Sequence, residues 1–269
     1  MPEEAPKDYY QIRQEKIEGD EIEGKVLSFD DLERGKSTDL KINKINRILG
    51  SGSYASWVAE VNVELAKDQS SEKKTHNMVM KRYREEGTDA TRNLERSYRN
   101  HRTLQSKGIP TWDTYRINEE HKLALMTLGI KDNETLLTAT DIGEHPSIEL
   151  FKQNPLEEVA NFDDFVEQVK SILIKANENI FRLRVDMWGV VFKPIADNPG
   201  AYELRAIVAD LDSLDRSEEP FYQRHYGADI KQRWVQENLD NLSAALFGIY
   251  PGNREEKRSF ADLIIEKVK

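Results

Sequence analysis

The chain of 269 residues carries 39 Lys and Arg against 49 Asp and Glu, a net charge of −10, with 38% hydrophobic residues, 33% charged residues and no cysteine. That acidic balance argues against nucleic acid or an anionic membrane as the main partner, since both demand a basic face. The lack of cysteine removes disulfides, thiolate nucleophiles and thiolate metal sites. No apolar run approaches the ~18 residues of a membrane span, and the acidic stretch Met1 to Asp8 has no apolar signal core. A reducing, cytoplasmic setting is expected, and signal-free delivery into another cell's cytosol is compatible with it.

Residues 1–40 are charged and poor in apolar side chains, which predicts a partly disordered extension with one short segment at Val26–Phe29. From Leu40 the pattern changes. Leu40, Ile42, Ile45, Ile48 and Leu49 lead into Gly50-Ser51-Gly52-Ser53-Tyr54. Trp57–Val63 then roughly alternates apolar and polar, as a strand does, and Asn77–Tyr83 reads as its hairpin partner across the polar stretch Lys67–His76. A helix follows, capped by Thr88 or Asp89, with Ala90, Leu94, Tyr98, His101 and Gln105 on one stripe; Gly108 and Pro110 end it. Tyr115–Asn118 and Leu123–Leu128 are two further short strands.

The second part reads as helical. Phe162, Phe165, Val166, Val169, Ile172, Leu173 and Ala176 fall at helical spacing. Val190–Phe192 and Ala206–Ala209 are short apolar strands around a turn at 194–200. Trp234, Val235, Leu239, Leu242 and Leu246 mark a helix over 230–246, and another runs through Phe260–Val268. The expected class is α+β, with a 1–40 extension, a small β-rich lobe with one helix at 41–129 and a reduced α-helical lobe at 130–269.

Few residue patterns here carry chemistry. Two glycines in a turn between strands let backbone N–H groups approach a phosphate, although Gly50-Ser51-Gly52 is also an ordinary hairpin turn. No helix follows it, so the dinucleotide fingerprint fails, and no Gly-Lys-Ser/Thr follows to make a P-loop. Lys81 sits after Met78-Val79-Met80 in an apolar strand, where its ammonium needs a phosphate, a carboxylate or water. His76, His101, His121, His145 and His225 are scattered without a metal-binding pair. A carboxylate directly off the apolar strand Ala206–Ala209, as at Asp210 and Asp212, suits a divalent metal or a capped turn.

Taken in order, the glycine turn, the Val79-Met80-Lys81 strand, the helix, Lys107–Thr111 and Leu123–Gly129 resemble the protein-kinase-like superfamily over roughly Ile45 to Ile249. The resemblance implies a bilobal, protein-kinase-like fold that binds ATP and Mg²⁺. By that resemblance Gly50, Ser51, Gly52 and Ser53 would cover the phosphates. Ala55 stands at the third motif glycine, and Trp57, with Val58 beside it, at the base-packing valine. Lys81 would hold phosphate and pair with Glu95, while an alternative register puts Asn100 there. Met126 and Leu128 would lie on the strand beside the adenine. Asp186, in Leu183-Arg184-Val185-Asp186, would orient or deprotonate the accepting hydroxyl. Asp210 would bind the metal, with Asp212 supplementing it.

The departures are specific. No His precedes Asp186, and Val191 stands where a metal-binding Asn is expected. The implied activity is transfer of the γ-phosphate of ATP to a protein hydroxyl, with a small-molecule hydroxyl as a variant and a basic protein as the partner that an acidic surface suits. An inactive pseudokinase scaffold is the alternative, and an unrelated fold with a plain glycine hairpin remains open.

Overall fold

The structure, a computed structural model, describes residues 22–31, 36–50, 55–65, 75–83, 90–117, 124–130, 134–139, 159–198, 201–212, 214–217, 220–226, 229–250 and 252–269. The chain divides into two compact units, Met1–Tyr98 with Asp113–Asp132 and Arg99–Trp112 with Asn133–Lys269.

In the first unit a run of apolar residues every third position decides the architecture. Ile42, Ile45 and Ile48 lie three apart, whereas side chains on one face of a strand recur every two residues. The long strand β2 (Lys36–Gly50) resolves the conflict with bulges against β3 (Ala55–Leu65). The register shifts fall between Ile42 and Lys44, between Ile45 and Arg47, and between Ile48 and Gly50. Each shift absorbs one residue, so Ile42, Ile45 and Ile48 all oppose core residues, namely Val63, Val61 and Ala59. The bulges also bend the strand and raise its twist, which is what closing a sheet requires.

Closure follows. With β1 (Val26–Asp31), β4 (Thr75–Tyr83), β5 (Asp113–Ile117) and β6 (Ala124–Ile130) the sheet forms a closed antiparallel barrel in the order β1-β2-β3-β4-β6-β5. The seam pairs Phe29 with Ile117 and Asp30 with Arg116. Leu27, Leu40, Ile42, Trp57, Ala59, Val61, Val63, Met78 and Met80 make its core. On the opposite face the bulged asparagines join a cross-strand amide ladder. Asn46 Nδ2 donates to Asn77 Oδ1 at 3.1 Å and Glu60 Oε1 at 3.2 Å, and Asn43 Nδ2 donates to Asn62 Oδ1 at 3.3 Å.

The expected extension over 1–40 therefore changes in part. Val26–Asp31 and the beginning of β2 belong to the barrel, because the seam supplies backbone pairing that a polar stretch could not gain from burial alone.

In the second unit the helix α1 (Ala90–Ser106), which begins in the first unit, ends at Gly108, whose φ of +67 suits the left-handed stop. Strand β7 (Thr135–Thr138), helix α2 (Phe162–Glu178), strand β8 (Phe181–Arg182) and a 3-10 turn (Val185–Met187) follow. Next come β9 (Trp188–Pro194), β10 (Tyr202–Val208), β11 (Asp215–Arg216), α3 (Pro220–Tyr226), α4 (Ile230–Ile249) and α5 (Arg254–Val268). A three-stranded sheet runs β10-β9-β7, and β11 pairs with β8. Helix α2 buries the expected face of Phe165, Val166, Val169, Ile172, Leu173 and Ala176.

Helix α4 departs from its expected stripe. Val235 is exposed and Leu239 only half-buried, while Ile230, Trp234, Asn238, Leu242, Ala245, Leu246 and Ile249 are buried. A polar residue thus takes the centre of the apolar face. Among the described residues no helix is long and apolar enough to cross a membrane.

With Ile42 fully buried opposite Val63, Ile42→Ala should cost about 2–5 kcal/mol. Val26→Ala, at a strand position 55% exposed, should stay within about 0.5 kcal/mol. Urea unfolding of the two variants checks this, and equal costs would mean the strand is out of register.

Candidate active site

Strand β8 ends at Arg182 and β9 begins at Trp188 in a different sheet, so five residues carry the chain from one sheet to the other. The connection is anchored at Leu183. Its N–H donates to Asn238 Oδ1 at 2.8 Å, and its carbonyl accepts from Asn241 Nδ2 at 2.9 Å. Asn238 is fully buried, and its Nδ2 also donates to Phe181 O at 2.9 Å and to Asn177 Oδ1 at 2.8 Å. A buried amide is tolerated only when its donors and acceptor are used, and here they are.

The turn closes through Met187 N–H to Arg184 O at 3.1 Å. It is tied to the segment after β10 by Ala209 N–H to Met187 O at 2.9 Å. Gly189 permits this approach, since a Cβ there would lie 2.8 Å from the Leu136 side chain and 3.3 Å from that of Ala209.

The turn places Asp186 half-buried on an open depression of about 480 Å³, lined also by Ala139, Arg182, Arg184, Val185, Glu237 and Asn241. The Asp186 carboxylate makes no hydrogen bond or ion pair with any described residue. The neighbouring arginines are occupied instead. Arg182 Nε and Nη2 donate to Asp215 Oδ2 at 2.8 and 2.6 Å, and Nη1 donates to Glu237 Oε2 at 3.1 Å. Arg184 Nε and Nη2 donate to Asp215 Oδ2 and Oδ1 at 3.1 and 3.2 Å. The Tyr222 hydroxyl donates to Asp215 Oδ1 through a short hydrogen bond. Arg233 Nε completes the set on Glu237 Oε1 at 2.7 Å.

The electrostatics follow from this arrangement. Burial disfavours the Arg182 cation, but the hydrogen bonds and charge of Asp215 outweigh it and raise its pKa. Hydrogen bonding to Asp215 likewise raises that of Arg184 against its burial. Burial pushes Glu237 up, and Arg233 and Arg182 more than reverse it, holding the carboxyl below its ordinary range. Burial, the bond to Asp215 and that residue's charge push the Tyr222 hydroxyl up to about 12.

Asp210 and Asp212 follow β10. Asp210 is half-buried, Asp212 is buried, and Asp212 N–H reaches Asp210 Oδ1 only at a long 3.4 Å. Among the described residues no three His, Asp or Glu side chains gather to hold a metal by themselves. Magnesium usually takes one or two carboxylates together with phosphate oxygens, and a half-buried carboxylate past an apolar strand end fits that donor set. Val191, by contrast, is buried between Leu136 and Arg205 in the three-stranded sheet and offers no side-chain oxygen.

Asn100 has a different task from the one its alternative register suggests. It is buried on α1, its Nδ2 donates to Leu211 O at 2.7 Å, and its Oδ1 accepts from Arg216 Nη2 at 2.7 Å. It fastens the Asp210–Asp212 segment to the helix.

In the first unit Lys81 lies on β4 opposite Val58. Residues directly opposite share a face and successive residues alternate, so Lys81, Val79 and Val58 share the face turned away from the core, where Met80 and Trp57 lie. Val58, not Trp57, therefore shares the lysine's face. Lys81 Nζ stands 5.8 Å from the ring centre of Tyr83. Glu95 is half-buried on α1 beside buried Leu94 and Ser97. Gly50 ends β2 opposite Val58, whereas Ser51, Gly52 and Ser53 lie outside the described residues. On β6, Met126 and Leu128 are in register with Met80 and Met78.

Sequence reasoning missed Asp215, Tyr222, Glu237, Asn238 and Asn241. The one legible signal was Asn238, four residues after Trp234 and four before Leu242 on an apolar stripe.

No protein-family model matches the sequence, and a comparison with curated proteins finds no match. Among solved structures, the chain is similar to a crystal structure of the Rio2 kinase–ADP/Mg²⁺–phosphoaspartate complex from Chaetomium thermophilum. There the identity is 13% and the TM-score 0.42, over 84% of this chain and 66% of that one. It is also similar to a crystal structure of the Rio2 kinase from the same organism, at 13% identity and a TM-score of 0.39, over 81% and 63%. This chain spans slightly under two thirds of the length of these neighbours.

The cluster has an alkaline signature. Because Tyr222 titrates near 12 in the folded state instead of its ordinary 10, its proton is bound more tightly there. Its contribution to stability is fully present below pH 10 and is lost as pH rises towards 12. Tyr222→Phe should flatten the decline of stability across that window, read by thermal unfolding on both sides of it. Matching slopes would show that the hydroxyl is not so held.

Proposed function

We propose that the chain is a kinase-like phosphotransferase that moves the γ-phosphate of ATP to a hydroxyl of a protein substrate. The observation that carries this reading is Asp186, a half-buried carboxylate free of described partners, on an anchored turn at an open depression. A carboxylate left unpaired in that setting is able to accept the proton of an incoming hydroxyl. Its tie to the Asp210 segment, through Ala209 and Met187, supports a proton acceptor and a metal ligand working in one reaction.

The roles divide as follows. Asp186 would orient the hydroxyl and take its proton as the oxygen bonds to the γ-phosphorus and the bond from that phosphorus to ADP breaks, ADP leaving with the electron pair. Asp210 holds Mg²⁺, with Asp212 as a second carboxylate. Gly50, Ser51, Gly52, Ser53 and Lys81 would hold the phosphates, Glu95 would order Lys81, and Met126 and Leu128 would be the strand residues offered to the base. ATP with Mg²⁺ supplies the transferable phosphoryl group and offsets its charge. Such transfer depends mainly on positioning and electrostatic stabilisation, both of which these residue types offer.

A second reading has one specific observation behind it. Val191 is buried and apolar where a metal-binding Asn is expected, which favours a pseudokinase that binds a protein partner without turnover. The two readings separate in one experiment on the full chain.

Under the enzyme reading, ATP at 100 times its Kd raises stability by roughly 2.7 kcal/mol, in a Mg²⁺-dependent way that Asp210→Ala abolishes. Transfer from labelled ATP then falls by about 10²–10⁴-fold in Asp186→Ala while the ATP-induced shift stays. A Mg²⁺-independent shift with no transfer selects the scaffold. No shift at millimolar ATP counts against the enzyme reading and leaves a scaffold that binds no nucleotide.

A further inference from the structure

Two arginines and Asp186 line one depression, yet Asp186 has no described partner. Opposite charges in such a site attract one another strongly, because the partly desolvated setting screens them less than water does. Arg184 lies two residues from Asp186 and its side chain is 43% exposed. What holds it away is visible in the geometry. Both its Nε and Nη2 are turned onto Asp215, a carboxylate only 7% exposed. Arg182 is held by the same carboxylate and by Glu237. Asp215 is itself fixed by Tyr222 and by the β11–β8 pairing, in which it stands opposite Arg182.

We infer that Asp215 is a positioning residue that occupies Arg184 and Arg182 and so keeps the Asp186 carboxylate unpaired and available to a substrate hydroxyl. The inference rests on the role proposed for Asp186, and it adds a residue that touches neither substrate nor nucleotide. Without the Asp215 charge, the Arg184 guanidinium has Asp186 as the next carboxylate on the same depression without a described partner. A salt-bridged Asp186 would be a weaker proton acceptor and would be turned from the incoming hydroxyl.

The test uses the full chain as wild type, Asp215→Asn, Asp215→Asn with Arg184→Gln, and Asp186→Ala. Asparagine keeps the shape and one acceptor of Asp215 while removing its charge. Two readouts are taken, namely the Asp186 carboxyl titration by carbon-detected NMR and the kinetics of phosphate transfer. The expected result is a lower Asp186 titration midpoint in Asp215→Asn and a fall in kcat of at least about tenfold, with KM for ATP unchanged. Adding Arg184→Gln should restore the wild-type titration and recover most of kcat.

Removing Arg184 also takes away a cation that Asp215→Asn leaves unmatched, so recovered kcat alone would not separate capture from unfolding; the Asp186 titration, read in the folded protein, does. If Asp215→Asn leaves the Asp186 titration where it was, the inference falls, whatever happens to transfer. If the titration moves and reverts as expected while no variant, wild type included, transfers phosphate, the positioning role stands and the proposed activity falls.

Discussion

Asn238 has no solvent to fall back on. It is fully buried at the centre of the apolar face of α4, and its side chain joins α2 at Asn177, β8 at Phe181 and the following turn at Leu183. A leucine there would match the stripe and add apolar burial. It would also orphan the Leu183 N–H and the Phe181 carbonyl, each at a desolvation cost of about 1–3 kcal/mol. The asparagine is therefore what allows an irregular turn to run across a packed helix. Asn241, almost one helical turn further on, completes the hold by taking the Leu183 carbonyl.

From that anchor the rest of the second unit follows outward. A fixed Leu183 sets Arg182 and Arg184, its neighbours on either side, towards Asp215. The turn then delivers Asp186 to the depression and hands the chain to β9, where Gly189 lets β7 and β10 close in. The outer edge of β10 is satisfied by isolated backbone bridges at its two ends, Tyr202 and Val208, and by side chains between them. Asn161 bonds both the N–H and the carbonyl of Leu204 at 2.8 Å, and Gln168 accepts from Ala206 N–H at 3.0 Å. The polar side chains of α2 and α4 thus do backbone work that a short three-stranded sheet cannot do for itself.

Most of this architecture was legible where a period was clean. The α2 face, the β3–β4 hairpin and the end of α1 at Gly108 all followed from spacing and turn chemistry. The barrel was not legible, because Ile42, Ile45 and Ile48 follow neither the period of a strand nor that of a helix, and only the bulges reconcile them. Strand β1 was half visible, since its pairing partner β5 lies some ninety residues later and contributes through backbone bonds. For the candidate site, the Asp186 turn was legible by resemblance alone. Asp215 was not, for a lone acid in a charged segment looks like any surface residue until the fold brings Arg182 and Arg184 to it.

The net charge of −10 suggests that an acidic field governs whatever approaches Asp186, but distance and burial decide otherwise. At physiological ionic strength exposed charges farther apart than about 8 Å are largely screened, so the scattered surface acids act on this site only weakly. The Arg182, Arg184, Asp215 and Glu237 groups are 2.6–3.2 Å apart and partly withdrawn from water, so their mutual attraction is screened far less. Among the described residues lining the depression, both arginines are engaged by Asp215 and Glu237. On the proposed reading, the field that an incoming hydroxyl would meet beside Asp186 depends on how completely Asp215 and Glu237 keep these arginines engaged.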